Sequence, residues 1–93
     1  SPYVTKAQIQ KALDVSARTV SNRLAEIDMY VQKGRYGAYT ILDGCGVTYV
    51  NYLAFVDFLK YRKDLKAGHR VPAFNPTAIA RQIGWGSLQA EYQ

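Results

Sequence analysis

Residues 13–24, Leu13-Asp14-Val15-Ser16-Ala17-Arg18-Thr19-Val20-Ser21-Asn22-Arg23-Leu24, decide how the chain is read. Ser16 stands where an N-cap belongs, because its hydroxyl can accept a hydrogen bond from a free backbone N–H in the first turn of a following helix. From there Val20, Leu24 and Ile27 recur at steps of four and three, so one helix face is apolar and points inward. The other face carries Ala17, Arg18, Ser21, Asn22 and Arg23, and no acidic residue occurs before Glu26. A solvated helix face usually mixes charge signs, whereas a face that must lie against phosphates cannot carry carboxylates. The stretch therefore reads as the turn and second helix of a helix-turn-helix, with that second helix entering a DNA groove. Upstream, Thr5 is expected to cap a first helix through about Ala12, turning Ile9 and Leu13 toward the apolar side of the second. Lys6 and Lys11 on that helix are candidate phosphate contacts, although exposed lysines are more often only solvated charges.

Val15-Ser16-x-x-Thr19-Val20-Ser21, with a basic residue and Leu24 after it, resembles the Val-Ser-x-x-Thr-Val-Ser-Arg stretch of lactose-repressor-type and other helix-turn-helix regulators. The likeness covers Ile9 to Leu24. It departs from the family at Asp14, where the turn usually has Gly; Asp tolerates the left-handed conformation better than most residues. Carried onto matching positions, the resemblance implies that Ala17, Arg18 and Asn22 face base edges in the major groove. Arg18 would grip guanine O6/N7, Asn22 would pair with adenine N6/N7, and Ala17 would meet a thymine methyl. Ser16, Thr19 and Ser21 would bind phosphates and fix register, with Arg23 a further phosphate candidate.

Composition sets the outer bounds. Ninety-three residues make one small domain with a modest core. A net charge of +5 and a pI near 9.5 favour nucleic acid or another polyanion over an acidic protein partner. No stretch approaches the length of a membrane span and no signal-peptide pattern opens the sequence, so a cytoplasmic protein without a membrane partner is expected. The single Cys45 excludes an internal disulfide framework and fits a reducing cytosol.

Beyond Asp28 the pattern changes. Met29-Tyr30-Val31-Gln32-Lys33 and Ala38-Tyr39-Thr40-Ile41-Leu42 are short runs rich in β-branched and aromatic residues, flanking Gly34-Arg35-Tyr36-Gly37. They read as a two-stranded hairpin. A hairpin directly behind a helix-turn-helix is a wing, and Lys33, Arg35 and Tyr36 at its tip would reach neighbouring phosphates or the minor groove. Asp43-Gly44-Cys45-Gly46 is a connector; it lacks the Lys-Ser/Thr of a phosphate-cradling loop. From about Thr48 to Lys66 the spacing predicts the longest helix. Its apolar arc, Val50, Leu53, Ala54, Phe58, Tyr61 and Leu65 on one face and Tyr49, Tyr52, Val56 and Leu59 on another, is broader than one small core needs. Either the C-terminal segment covers the second face or the helix self-associates. Lys60, Arg62, Lys63 and Lys66 gather in its last turns, which the helix dipole alone explains.

Asn75-Pro76-Thr77-Ala78-Ile79-Ala80-Arg81-Gln82-Ile83-Gly84 is punctuated as a short helix: Asn as cap, Pro at the first position, Gly past the end. Ile79, Ile83 and Trp85 repeat the spacing of Ile9, Leu13 and Val15, so Asn75 to Ala90 reads either as a capping helix over the long one or as part of a second helix-turn-helix.

The expected fold is mainly α with a small β-hairpin: a winged helix-turn-helix over residues 3–67, including the long helix, and a C-terminal capping segment over 68–93. This order is similar to that of small winged-helix proteins of mobile elements, namely excisionases, the DNA-binding domain of the lambda terminase small subunit, and MerR-type regulators. The resemblance implies sequence-specific binding of double-stranded DNA as a homodimer or as cooperative protomers on adjacent sites. It leaves open transcription control, excision or terminase-like DNA recognition, and a winged helix can also be reused to dock protein. No catalytic residues, metal ligands or cofactor are expected. Cys45 has no ligand partner at metal spacing, and His69 lies in a Lys/Gly/Arg loop without a carboxylate nearby in sequence.

Overall fold

Two helices and the three-residue turn between them set the frame. The structure is a computed structural model, and it describes residues 1–85. β1 (Tyr3–Thr5) runs directly into α1 (Lys6–Leu13), and α2 (Ala17–Gln32) follows after Asp14-Val15-Ser16. Local chemistry fixes both helix starts. Thr5 Oγ1 accepts from Gln8 N–H at 3.1 Å while Gln8 Oε1 accepts from Thr5 N–H at 2.8 Å, a reciprocal capping box. Ser16 Oγ accepts from Thr19 N–H at 3.1 Å. Asp14 takes the left-handed conformation (φ 53°, ψ 52°) that ends α1 and turns the chain into α2.

Next come β2 (Ile41–Leu42), β3 (Tyr49–Asn51), α3 (Tyr52–Lys66) and α4 (Pro76–Ile83). The three strands form one antiparallel sheet in the order β1-β3-β2, with Val4 and Ile41 both opposite Val50 and with Thr5 and Leu42 both opposite Tyr49. Among the described residues, then, the protein is mainly helical, with four helices and a small three-stranded sheet. α3 starts where β3 ends, because Asn51 Oδ1 accepts from the N–H groups of Leu53 and Ala54.

The core lies between α1, α2, α3 and the inner face of the sheet. α1 contributes Ile9, α2 contributes Val20, Leu24, Ile27 and Tyr30, β3 contributes Val50, and α3 contributes Ala54, Phe55 and Phe58. Removing each large aliphatic or aromatic side chain from water is worth about 1.5–3 kcal/mol before ordering costs. α3 is the central helix: Leu53, Ala54, Phe55 and Phe58 are buried together with Asp57, while Leu59 on the second face stays exposed. α4 lies against its second side, where Trp85 stacks on Tyr52 with ring centroids 5.1 Å apart. Asn75 caps α4, Pro76 opens it, and Gly84 closes it with a left-handed φ of 71°. Gly86 to Ala90, the second half of the sequence echo, lie outside the described residues.

The structure corrects the expected hairpin. Met29 to Gln32 continue α2 and are not a strand. Tyr30 and Val31 extend the three-and-four stripe set by Val20, Leu24 and Ile27, and burying that stripe outweighs the β-propensity of the same residues. Gly34 is therefore a helix terminator, not a hairpin turn. With φ at 88° it lets its own N–H bond Val31 C=O at 3.1 Å and the Arg35 N–H bond Tyr30 C=O at 2.9 Å, the paired closure of a Schellman cap. The hairpin that does form joins β2 to β3 through residues 43–48, which include the Asp43-Gly44-Cys45-Gly46 stretch expected to be a connector. Tyr49 to Asn51, expected to open the long helix, are strand, and the helix begins at Tyr52.

Candidate nucleic-acid interface

Successive residues of an α-helix advance by about 100°, so the burial of Val20, Leu24, Ile27 and Val31 fixes what every other position on α2 faces. Arg18, Asn22, Ala25 and Met29 form the ridge opposite the core, and all four are exposed. Ala17 and Ser21 lie on the flank toward α1, where Lys6 Nζ stands 3.5 Å from Ser21 Oγ. Thr19, Arg23 and Glu26 lie on the opposite flank, toward α3. Among the described residues, neither the Arg18 guanidinium nor the Asn22 amide is engaged by another side chain, so both are free to bind a partner. The acid-free part of the ridge covers the first two turns. Glu26 and Asp28 end it beyond Arg23.

The hydroxyls are differently employed. Ser16 Oγ accepts from Thr19 N–H and donates to Thr19 Oγ1 at 3.0 Å, so its first task is to cap the helix. Thr19 keeps its own hydroxyl proton to donate. The N–H groups of Ala17 and Arg18 precede the first intrahelical bond, Val20 N–H to Ser16 C=O, and give the helix start a partial positive charge unopposed by any acid in the first turn.

Arg23 does not stand free. Its Nη1 lies 2.6 Å from Glu26 Oε1, and Glu26 also receives Arg62 Nε at 3.0 Å and Lys66 Nζ at 2.5 Å from α3. Burial alone would raise the Glu26 pKa, but the hydrogen bonds from Lys66, Arg62 and Arg23 outweigh it and bring the carboxyl down to about 2. This four-residue cluster locks α2 to α3. Sequence reading missed it because Arg62 and Lys66 are 36 and 40 residues from Glu26.

The three residues expected at the wing tip are elsewhere. Lys33 ends α2, about 22 Å along the helix from Arg18 at 1.5 Å per residue, with its ammonium 5.3 Å from the centre of the Tyr30 ring. Tyr36 is buried, and its hydroxyl donates to Asp57 Oδ2 at 2.6 Å. Arg35 donates to the same oxygen through Nε at 3.2 Å and Nη2 at 2.9 Å, its side chain only 11% exposed and flanked by the rings of Tyr36 and Tyr61. Asp57 is 3% exposed, and the triad is the interior ion pair of the fold. Burial, followed by the hydrogen bond to Asp57, pushes the Tyr36 hydroxyl well above the usual phenol range, so it stays a donor.

The β2–β3 loop, residues 43–48, forms the tip of the hairpin. Tyr49 is opposite both Thr5 and Leu42, so residues 43–48 leave the sheet at the end where Thr5 passes into α1 and Lys6 meets Ser21. Its only charged residue is Asp43, which accepts from Thr48 Oγ1 at 3.2 Å, and Cys45, Val47 and Tyr49 are exposed. Elsewhere the expectation that His69 has no carboxylate nearby in sequence is corrected: its Nδ1 lies 3.0 Å from Oδ1 of Asp64, five residues earlier, on the surface. No group of three or more potential metal ligands occurs among the described residues, and no described helix is long and apolar enough to cross a membrane. No family model matches the chain, and neither a curated protein nor a solved structure is significantly similar to it.

Proposed function

We propose that this protein binds double-stranded DNA sequence-specifically as a winged helix-turn-helix, with the first two turns of α2 in the major groove. The reading is carried by one observation. A helix face held rigidly by Ile9, Val20, Leu24 and Ile27 leaves Arg18 and Asn22 exposed and uncommitted, with Lys6 beside them and no carboxylate before Glu26. Arg18 suits guanine O6/N7, Asn22 suits adenine N6/N7, and Ala17 leaves room for a thymine methyl. Thr19, Ser21, Lys6 and the first-turn N–H groups of α2 would hold the phosphates that set register. Residues 43–48 would be the wing. Lacking a cation, that loop would meet the DNA backbone or minor groove through main-chain N–H groups and Tyr49. The function would be that of a transcription regulator or excisionase-like factor of a phage, plasmid or conjugative element, or the DNA-recognition part of a phage terminase, acting in the cytoplasm as a dimer or as adjacent protomers.

A second reading has its own support. This cation-free loop with exposed Val47 and Tyr49 would equally suit a winged helix that docks protein. One measurement separates the two: fluorescence anisotropy with random and selection-enriched duplexes, titrated with salt. A DNA reader binds the enriched duplex far more tightly and loses affinity steeply as salt rises. Weak, salt-insensitive association with both duplexes rejects the groove reading in favour of protein docking.

A further inference from the structure

The Glu26 cluster holds more positive charge and more hydrogen-bond donors than it uses. One carboxylate offers about four acceptor positions. Glu26 receives one bond from Arg23, the single Nε–H of Arg62 shared between its two oxygens at 3.2 and 3.0 Å, and a contact from Lys66, so that each oxygen is approached twice. Its acceptor positions are therefore filled, and three cations on one anion leave a net charge of +2. Both terminal nitrogens of Arg62 lack a partner among the described residues, and Lys66 engages one of its three donors. These side chains are 27%, 26% and 48% exposed for Arg23, Arg62 and Lys66, so the surplus donors can reach solvent. Their place beside α2 matters. Lys6 touches the Ser21 flank, while Arg23 and Glu26 occupy the other flank, with the Arg18–Asn22 ridge between. A helix seated in a major groove about 12 Å wide has one phosphate backbone on each side.

Given the placement of α2 in the groove, on which this patch depends, we infer that Arg23, Arg62 and Lys66 form a preassembled phosphate-binding patch. It grips the DNA strand on the α3 side of α2, across the groove from the strand that Lys6 meets. Glu26 is a positioning residue. It holds two flexible side chains of α3 beside α2, so they do not have to be ordered when DNA arrives. Arg62 and Lys66 thereby contribute to DNA binding beyond neutralising the α3 dipole.

The test uses the full chain and one enriched duplex, with Arg62→Gln, Lys66→Gln and the double variant compared with wild type and Arg18→Ala. Each lost phosphate contact should flatten the slope of log K against log salt by about 0.9, and the double variant by about 1.8. Both variants should bind all duplexes more weakly while preserving the wild-type base preference, and Arg62→Lys should recover most of the slope. Unchanged slopes for Lys66→Gln and the double variant, with wild type still showing a sequence preference that Arg18→Ala alters, would overturn the patch and leave the groove reading standing. A wild-type chain without salt-dependent duplex binding would overturn both. Should Arg62→Gln fail to fold, Lys66→Gln, at the exposed end of α3, decides the matter alone.

Discussion

Arg18 and Arg35 look alike in sequence, each a lone arginine in a short polar stretch beside a turn, and the fold uses them in opposite ways. Arg18 projects from the ridge of α2 with no side-chain partner among the described residues. Arg35 is turned inward between two tyrosine rings, donating twice to a carboxylate that is 3% exposed. Positive charge near the proposed recognition helix is therefore not in itself an interface. A guanidinium available to DNA is one whose neighbours do not already require it. By the same reasoning Lys6, whose ammonium meets a serine hydroxyl at 3.5 Å and no carboxylate among the described residues, ranks above Arg35 as a candidate phosphate contact.

The sharpest way to break this contrast is to remove each arginine in turn. Arg35→Ala leaves the Asp57 carboxylate buried with only the Tyr36 hydroxyl, and breaking a buried pair from one side typically costs about 3–5 kcal/mol. For a small domain that is a large part of its total stability, and urea denaturation will show a sharply lowered midpoint. Arg18→Ala should leave stability within about 0.5 kcal/mol, as for ordinary surface positions. If the two variants unfold at the same urea concentration, the interior role of Arg35 is wrong.

For the proposed DNA binding the order should reverse. Arg18→Ala should cost about 1–3 kcal/mol at a single base-pair position and relax the preference there. Binding-site selection with the variant checks this directly. An unchanged selected motif would remove Arg18 from the groove. Folded Arg35→Ala protein, by contrast, should keep the wild-type salt slope, since the Arg35 guanidinium is already committed to Asp57.

How much of this could be read in advance depends on the range of the interaction. The caps at Thr5, Ser16 and Asn75, and the left-handed Asp14, follow from contacts within five residues, and local residue identity was enough to place them. The apolar stripe of α2 was equally plain as far as Ile27. Beyond it, Met29-Tyr30-Val31 satisfied two patterns at once, β-propensity and helical spacing, and tertiary burial of Tyr30 chose between them. The hairpin was hidden for another reason. Strands of two and three residues show no alternation to detect, and β3 is also paired with β1, more than forty residues earlier. Nor could local pattern show that Arg35 answers Asp57, 22 residues away, or that Glu26 gathers two cations from α3.

Glu26 supplies a smaller, pH-dependent version of the same contrast. Its folded pKa, about 2, lies below its ordinary value of 4.5, so its contribution is complete above the ordinary value and lost as pH falls toward 2. Acid unfolding of the wild type between pH 5 and pH 2 should therefore include a component that Glu26→Gln lacks. Parallel stability profiles for the two proteins over that window would show the cluster to be energetically idle.

The smallest expected effect lies in the turn that sets the angle between α1 and α2. Asp14 is strained in two respects: it is an L-residue at φ 53°, and its carboxylate sits at the C-terminus of α1, where the helix dipole is already negative. Asp14→Gly relieves both but gains backbone freedom in the unfolded chain, an opposing effect of about 0.4–1 kcal/mol. The balance should be a stabilisation of about 0.5 kcal/mol, read as a slightly higher urea midpoint at unchanged slope. Asp14→Asn separates the two causes, because Asn shares the tolerance of the left-handed region without the charge. If Asn matches Gly, the carboxylate is the burden. If Asn matches Asp, the backbone is. Should both variants be less stable than wild type, the Asp14 side chain must form a favourable interaction in the turn that outweighs both strains.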